Sequence, residues 1–293
     1  MKKLLLILIL VLSIFLVSCE KNKPFDSTMD TKQKEVEIQD EKKILFSNMS
    51  DDASIEEVRL ILKKYLEEKN VDDFIKGVIE YNEAIEKTGL IGNFEEKEQV
   101  EYDVETIDKL WTSKKGDFIG TNCRLNTFML LKNNIDIEKG RIDDSLLFLD
   151  KDAIEVGHVL DEKEAEGFKQ LFSKVKTEDT KDIHVHAQKM EEHFSKVKFD
   201  ENARMISVVL HDNLDGDFLF VGHVGVLVEN EGKYLFIEKL SFQEPYQAIK
   251  FNRKEDCYNY LFSKYKHYSD PTTARPFIMD NGKLIELDSY DKD

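Results

Sequence analysis

From Ala203 onward the chain stops reading as helix and becomes strand, and this switch limits its architecture more than any other feature. The segments "ARMISVVLHD" (203–212), "DFLFVGHVGVLVE" (217–229) and "KYLFIEKLSF" (233–242) are runs rich in Val, Ile, Leu and Phe. Short polar or glycine-bearing turns at 213–216 and 230–232 separate them, which predicts consecutive antiparallel strands. A last hairpin is predicted at Asn281-Gly282, a pair suited to the tightest hairpin turn. Before Ala203 the apolar spacing is helical. Ser54-Ile55-Glu56-Glu57 matches a capping box, and Ile55, Val58, Ile61, Leu62, Tyr65 and Leu66 follow at helical intervals. Asn70 is the expected cap of a second helix carrying Phe74, Val78, Tyr81 and Ile85 and ending near Gly89. A third helix carries Ile107, Leu110 and Trp111. Further helices are expected over 162–174 and 183–197, and one more starts at Asn252-Arg253-Lys254-Glu255 with Tyr258, Leu261, Phe262 and Tyr265 on it. Helices first and sheet later, without βαβ alternation, indicates an α+β fold.

The first residues bear on location. Lys2 and Lys3 precede an apolar run from Leu4 to Val17, too short for a comfortable span but suited to a signal peptide. That run ends in Leu16-Val17-Ser18-Cys19, which resembles the lipobox of bacterial lipoproteins. The resemblance implies cleavage before Cys19, a diacylglycerol thioether on its sulfur and acylation of the new amino group. A simple secretory signal or an anchor helix is the competing reading. Residues 1–19 are therefore expected to be a signal peptide and 20–43, charged and polar, a flexible tether. Residues 44–293 hold no Gly/Ser/Pro linker and no evident repeat, so a single domain is expected. Localisation follows as lipid-anchored on the extracytoplasmic face of the cell membrane.

Charge excludes one class of partner. The net charge is -17; without Lys2 and Lys3 it is 40 cationic against 59 acidic residues, -19. Such a chain is not expected to bind nucleic acid, since phosphate contacts need clustered Lys and Arg. Membrane contact is expected through the anchor alone.

"GTNCRLNTFMLL" (120–131) places Cys123 in the first turn of a predicted helix, with Thr121 or Asn122 as its N-cap and Leu125, Phe128 and Met129 on its apolar face. Unpaired N–H groups and the helix dipole favour a thiolate at that position. Three readings stand open for Cys123: half of a disulfide with Cys257, an inert buried residue, or a nucleophile. His223 lies in "VGHVGVLVE", where Gly222 and Gly225 would leave room for a substrate backbone. Glu238 lies in the following strand. If Glu231-Gly232 forms a two-residue turn, His223 falls opposite Leu240 and Glu238 shares its face; a three-residue loop puts Glu238 on the other face.

A cysteine on a helix N-terminus, followed by an antiparallel sheet with "GHVG" and an acceptor in the next strand, resembles the papain-like superfamily, including NlpC-type cell-wall peptidases. The resemblance implies a papain-like α+β fold with Cys123 as nucleophile, His223 as general base and Glu238 as the residue that orients His223. The main-chain N–H of Cys123, helped by Asn122, would form the oxyanion hole. Departures are visible: neither "DCSG" nor "CGSCW" surrounds Cys123, and the third position is Glu rather than His, Asn or Asp. Over nearly the whole of the chain after residue 45, "KKGDFIGTNCRLN", "HDNLDGDFLFVGHVGVLV" and "FIEKLSFQEPYQAIKF" also resemble bacterial lipoproteins grouped as domain of unknown function 4300. That resemblance implies kinship without an activity.

The expectation is an extracytoplasmic thiol hydrolase that cleaves an amide in a peptide or cell-wall stem peptide, with no metal and no organic cofactor. The alternative is a non-catalytic surface lipoprotein that binds a peptide or protein on the same scaffold. Other constellations compete less well. His184, His186 and His193 could seat zinc, but the last two are two helical turns apart and a solvated face fits them better. Asp212, Asp215 and Asp217 lack the full calcium-loop pattern and fit a polar hairpin loop. His211 is a rival base without flanking glycines.

Overall fold

The structure is a computed structural model that describes residues 43–290; Cys19, the signal peptide and the tether as far as residue 42 lie outside the described residues. The first half runs β1 (Leu45–Ser47), α1 (Asp52–Leu62), α2 (Glu68–Ala84), β2 (Glu95–Glu96), α3 (Val104–Lys115), α4 (Cys123–Leu131), β3 (Asp136–Ile137) and α5 (Phe148–Gly157). It continues with α6 (Glu162–Leu171), β4 (Val175–Lys176), α7 (Ile183–Phe194) and β5 (Val197–Lys198). The sheet-forming half holds β6 (Ala203–Asp212), β7 (Phe218–Asn230), β8 (Lys233–Lys239), β9 (Tyr246–Phe251), α8 (Lys254–Tyr265), β10 (Phe277–Asp280) and β11 (Lys283–Leu284).

The main sheet has the order β11-β10-β6-β7-β8-β9-β1-β2, with β4 against β7, and its pairings are antiparallel. The fold is α+β. Both faces of the sheet are covered, which is why β7 reads as an almost continuous apolar run. One face, with Met205, Val224, Val226, Leu235 and Ile237, packs on residues from α1 to α7 such as Val58, Phe74, Leu125, Phe168 and Met190. The other, with Ile206, Val208, Leu227, Phe236 and Ile249, packs on Cys257, Tyr258, Leu261 and Phe262 of α8.

Helix limits differ from the sequence reading for local reasons. Asp51 offers its carboxylate to the Ser54 N–H at 2.8 Å, so α1 starts before the Ser54 box and Ser54 becomes its third residue. Asn70 lies inside α2 and caps nothing; its amide donates to Asn133 Oδ1 at 2.9 Å. That helix stops at Ala84, ahead of Glu86 and Lys87, both at φ 54°. α6 and α7 end short of 174 and 197 because the next residues leave to pair as β4 and β5. α5 was not expected, and it matters for the site.

The β7–β8 turn is the two-residue one. Glu231 and Gly232 both adopt positive φ, and Val226 pairs Ile237 through to Asn230 with Lys233. On the other side of β7, Val208 faces His223 and Val209 faces Val221, so Gly222 is the extra residue of a β-bulge beside His223. The two glycines do not hold space open for a substrate. A Cβ on Gly222 would come 2.4 Å from Leu210 Cδ1, and one on Gly225 would come 2.4 Å from Phe236 Cζ and 2.5 Å from the Ile237 carbonyl. Both sites are already filled. Gly225→Ala is therefore expected to cost about 1–3 kcal/mol in a urea unfolding experiment, because the Ile237 backbone cannot yield as a side chain can.

Candidate active site

α4 begins where the sequence places it. Asn122 is extended and accepts the Leu125 N–H on Oδ1 at 3.0 Å, which makes it the N-cap and Cys123 the first helical residue. Its Nδ2 donates to Asp150 Oδ1 at 2.8 Å, so both ends of the amide are engaged, and help to an oxyanion would fall to the second Nδ2 hydrogen. Asp150 comes from α5 and is fully buried. It also takes a bidentate contact from Arg124, Nη2 at 2.6 Å and Nε at 3.0 Å, while Arg124 Nη1 donates to the Val221 carbonyl at 3.2 Å. The start of α4 is thus fastened to α5 and to the strand that carries His223.

Register then brings the acid to the base. Strand alternation puts His223 and Leu227 on the face of β7 that Phe236 and Glu238 occupy on β8, as the two-residue turn predicts. The ring N–H of His223 at Nε2 donates to Glu238 Oε2 at 2.5 Å, and both side chains are buried. With Nε2 engaged, Nδ1 is the nitrogen left for a thiol, and Cys123 and His223 are near enough for each to shift the other's pKa. Cys123 belongs to the core on the α1–α7 side, whereas His223 and Glu238 face α8. α4 lies against both β7 and β8, and the β7–β8 pairing ends at Val226 with Ile237, before His223 and Glu238.

Electrostatics follow from this geometry. Burial opposes ionisation of the Cys123 thiol, but the His223 charge, its hydrogen bond and Arg124 outweigh burial, and the pKa falls below the ordinary thiol value. Burial alone would neutralise His223; the charges of Cys123 and Glu238 and the bonds to both raise it to about 9. Burial would likewise protonate Glu238, yet Lys264, His223 and the hydrogen bonds from His223 and Tyr260 lower it to about 2. All three shifts favour a thiolate, an imidazolium and a carboxylate in a row.

Besides Asp150, the sequence reading missed four participants. Tyr260 and Lys264 of α8 donate to Glu238 Oε1 at 2.9 and 3.3 Å, and the Tyr265 ring stacks on His223 with centroids 4.9 Å apart. Lys239 is buried beside Glu238. Its Nζ donates to the carbonyls of Ser241 at 2.9 Å, Phe242 at 3.3 Å and Glu244, and lies 4.0 Å from the Tyr81 ring centre; burial lowers its pKa to about 7. It holds the 241–244 loop, whose Phe242 carbonyl would sit 3.2 Å from a Cβ on Gly120. An aromatic and a lysine one turn apart on α8 were the available signal for Tyr260 and Lys264; nothing local marked Asp150 or Lys239.

The rival residues are placed elsewhere. Cys123 and Cys257 are both free, and burial pushes Cys257 well above the usual thiol range. His211 accepts the Ala274 N–H on Nδ1 at 3.0 Å and packs at a tilt against His186, which itself bonds Thr177 and the Thr180 carbonyl. His193 Nε2 donates to the Leu171 carbonyl at 3.1 Å, and His184 is exposed. Asp212 takes the Leu214 N–H, as in a polar turn. Among the described residues no cluster of three or more His, Cys, Asp or Glu could hold a metal, and no helix is long and apolar enough to cross a membrane. A cavity of about 460 Å³ bounded by Lys181, His184, Asp270, Arg275, Glu286 and Tyr290 contains none of the three site residues.

Comparison with family models matches residues 45–285 to a domain of unknown function, DUF4300. The chain belongs to that family. The match takes in Cys123, His223 and Glu238 together with Asp150, Tyr260 and Lys264, so the whole constellation lies within the DUF4300 domain. Neither the curated proteins nor the solved structures contain a match.

Proposed function

We propose that this DUF4300 protein is a lipid-anchored thiol hydrolase with a papain-like arrangement, acting outside the cytoplasmic membrane on an amide bond in a peptide or a cell-wall stem peptide. One observation carries the reading: Cys123 at a helix N-terminus lies buried within electrostatic reach of His223, whose imidazole is hydrogen-bonded to the buried Glu238 carboxylate. The lipobox-like segment ending at Cys19 supports the anchor.

In this mechanism His223 holds the thiol proton and Cys123 Sγ attacks the amide carbonyl carbon. The carbonyl oxygen becomes an oxyanion that the Cys123 main-chain N–H can meet, because the first N–H groups of a helix lack intrahelical partners. Collapse of the tetrahedral intermediate breaks the C–N bond, the imidazolium protonates the departing amine, and a thioester remains. A water that loses its proton to His223 attacks the thioester, releasing the carboxylic acid and the thiol. Glu238 stays ionised throughout and fixes the imidazole tautomer.

A second reading draws on burial. Cys123 is 6% exposed and His223 1%, which suits a non-catalytic surface lipoprotein that binds a peptide or protein on this scaffold. The test is alkylation of the folded protein by iodoacetamide at pH 6, with the modified residue located by mass mapping. Reaction at Cys123 within minutes is the expected result. A Cys123 inert between pH 5 and 7 while the protein stays folded would overturn the hydrolase in favour of the binding protein.

A further inference from the structure

The acid of the series is held from a third element. Glu238 directs Oε2 to His223 and Oε1 to α8, where it accepts from Tyr260 Oη at 2.9 Å and from Lys264 Nζ at 3.3 Å. Lys264 Nζ also donates to Tyr260 Oη at 3.0 Å, so the two side chains, one helical turn apart, brace each other. Glu238 is 2% exposed, and a carboxylate buried so deeply and left unpaired would take up a proton. We propose that Tyr260 and Lys264 are positioning residues of the thiol hydrolase, which keep Glu238 ionised and aim its second oxygen at His223 Nε2. The proposal rests on the reading of Cys123, His223 and Glu238 as catalytic.

The physical logic is division of labour on one carboxylate. Two donors on Oε1 fix the rotation of the group, and the remaining oxygen is left with a single direction, toward the imidazole. Among the forces that oppose burial at Glu238, the Lys264 charge comes before that of His223. The titratable neighbours of Glu238 are His223 from β7, Tyr260, Lys264, Tyr265 and Cys257 from α8, and Tyr102 from the segment before α3. Those of Cys123 are His223, Arg124, Asp150, Tyr265 and Lys239. Tyr102 and Cys257 bring no cation to Glu238 at neutral pH, so Lys264 has no substitute from those two. If Lys264 or the Tyr260 hydroxyl is removed, Glu238 accepts a proton at higher pH. It then presents a donor instead of an anion to His223.

The imidazole reports this change directly. In the full chain labelled with ¹³C at histidine Cε1, the His223 signal of the unaltered protein is expected to stay flat between pH 3.5 and 6. Lys264→Met and Tyr260→Phe are each expected to introduce an inflection in that window, which from a value of about 2 is a rise of at least about thirtyfold in the proton affinity of Glu238. Lys264→Arg is expected to restore the flat profile. Profiles that superimpose on the unaltered protein in both Lys264→Met and Tyr260→Phe would overturn the proposal, even with lowered melting temperatures, since a purely structural role lowers stability without moving the titration. The measurement needs no turnover. An inflection found together with a Cys123 inert to alkylation would count against the hydrolase and leave the α8 clamp on Glu238 intact.

Discussion

His223→Ala is expected to slow alkylation of Cys123 at pH 6 by about 100-fold and to abolish amide hydrolysis. The argument is a balance of opposing effects. Burial pushes the thiol up, and the largest forces pulling it down are the charge of His223 and the hydrogen bond to it. Removing the imidazole leaves Arg124 and the helix dipole against full desolvation, and Asp150 opposes them. A thiol back in its ordinary range is almost wholly protonated at pH 6. The shape of the pH profile gives a second check. A depressed thiol pKa means the thiolate is lost only as pH falls through that lowered value, so alkylation of the unaltered protein should reach its plateau at a lower pH than that of an ordinary thiol. His223 is raised to about 9, so above that pH the imidazolium that must protonate the leaving amine is lost. Hydrolysis should therefore decline above about pH 9 while alkylation persists. In His223→Ala that separation vanishes, and alkylation climbs until the pH exceeds the ordinary thiol value. Alkylation of His223→Ala at the unaltered rate would mean that the helix terminus alone activates Cys123.

How much of this was legible beforehand depends on the range of the interactions. The Cys123 helix start was readable because Asn122 and the apolar face of α4 are local signals, and the His223–Glu238 face-sharing was conditional on one turn that Glu231-Gly232 resolves. α5 was hidden because Leu147 gives it no side-chain cap and His158, rather than Gly, takes the left-handed position at its end. With α5 hidden, Asp150 had no place near Cys123. The glycines flanking His223 were misread for a related reason: their purpose is set by Leu210 and Phe236, which approach across the sheet from other strands. Lys239 looked like an ordinary strand lysine, and only the return of the 241–244 loop shows that its ammonium is enclosed by carbonyls and the Tyr81 and Tyr246 rings.

Asp150→Ala is expected to lower the free energy of unfolding by about 3–5 kcal/mol, read from a urea titration. The carboxylate is inaccessible to solvent and receives three donors, two from Arg124 and one from Asn122. Its loss strands a guanidinium whose side chain is only 15% exposed, and this uncompensated charge, more than the lost attraction, sets the size of the effect. Removing both partners should therefore be far milder: Asp150→Leu with Arg124→Leu is expected to recover most of the stability, since apolar residues of similar volume leave no buried charge behind. The thiol supplies a finer test. Arg124 lowers its pKa and Asp150 raises it, so by charge alone Asp150→Ala should make Cys123 more reactive. Asn122, however, loses the acceptor that holds its amide, and a looser cap lets the first turn of α4 fray. We expect the positional loss to win, with alkylation at pH 6 slowed severalfold despite the favourable change in charge. Faster alkylation would show that Asp150 restrains the thiol electrostatically and that the Asn122 cap stands without it.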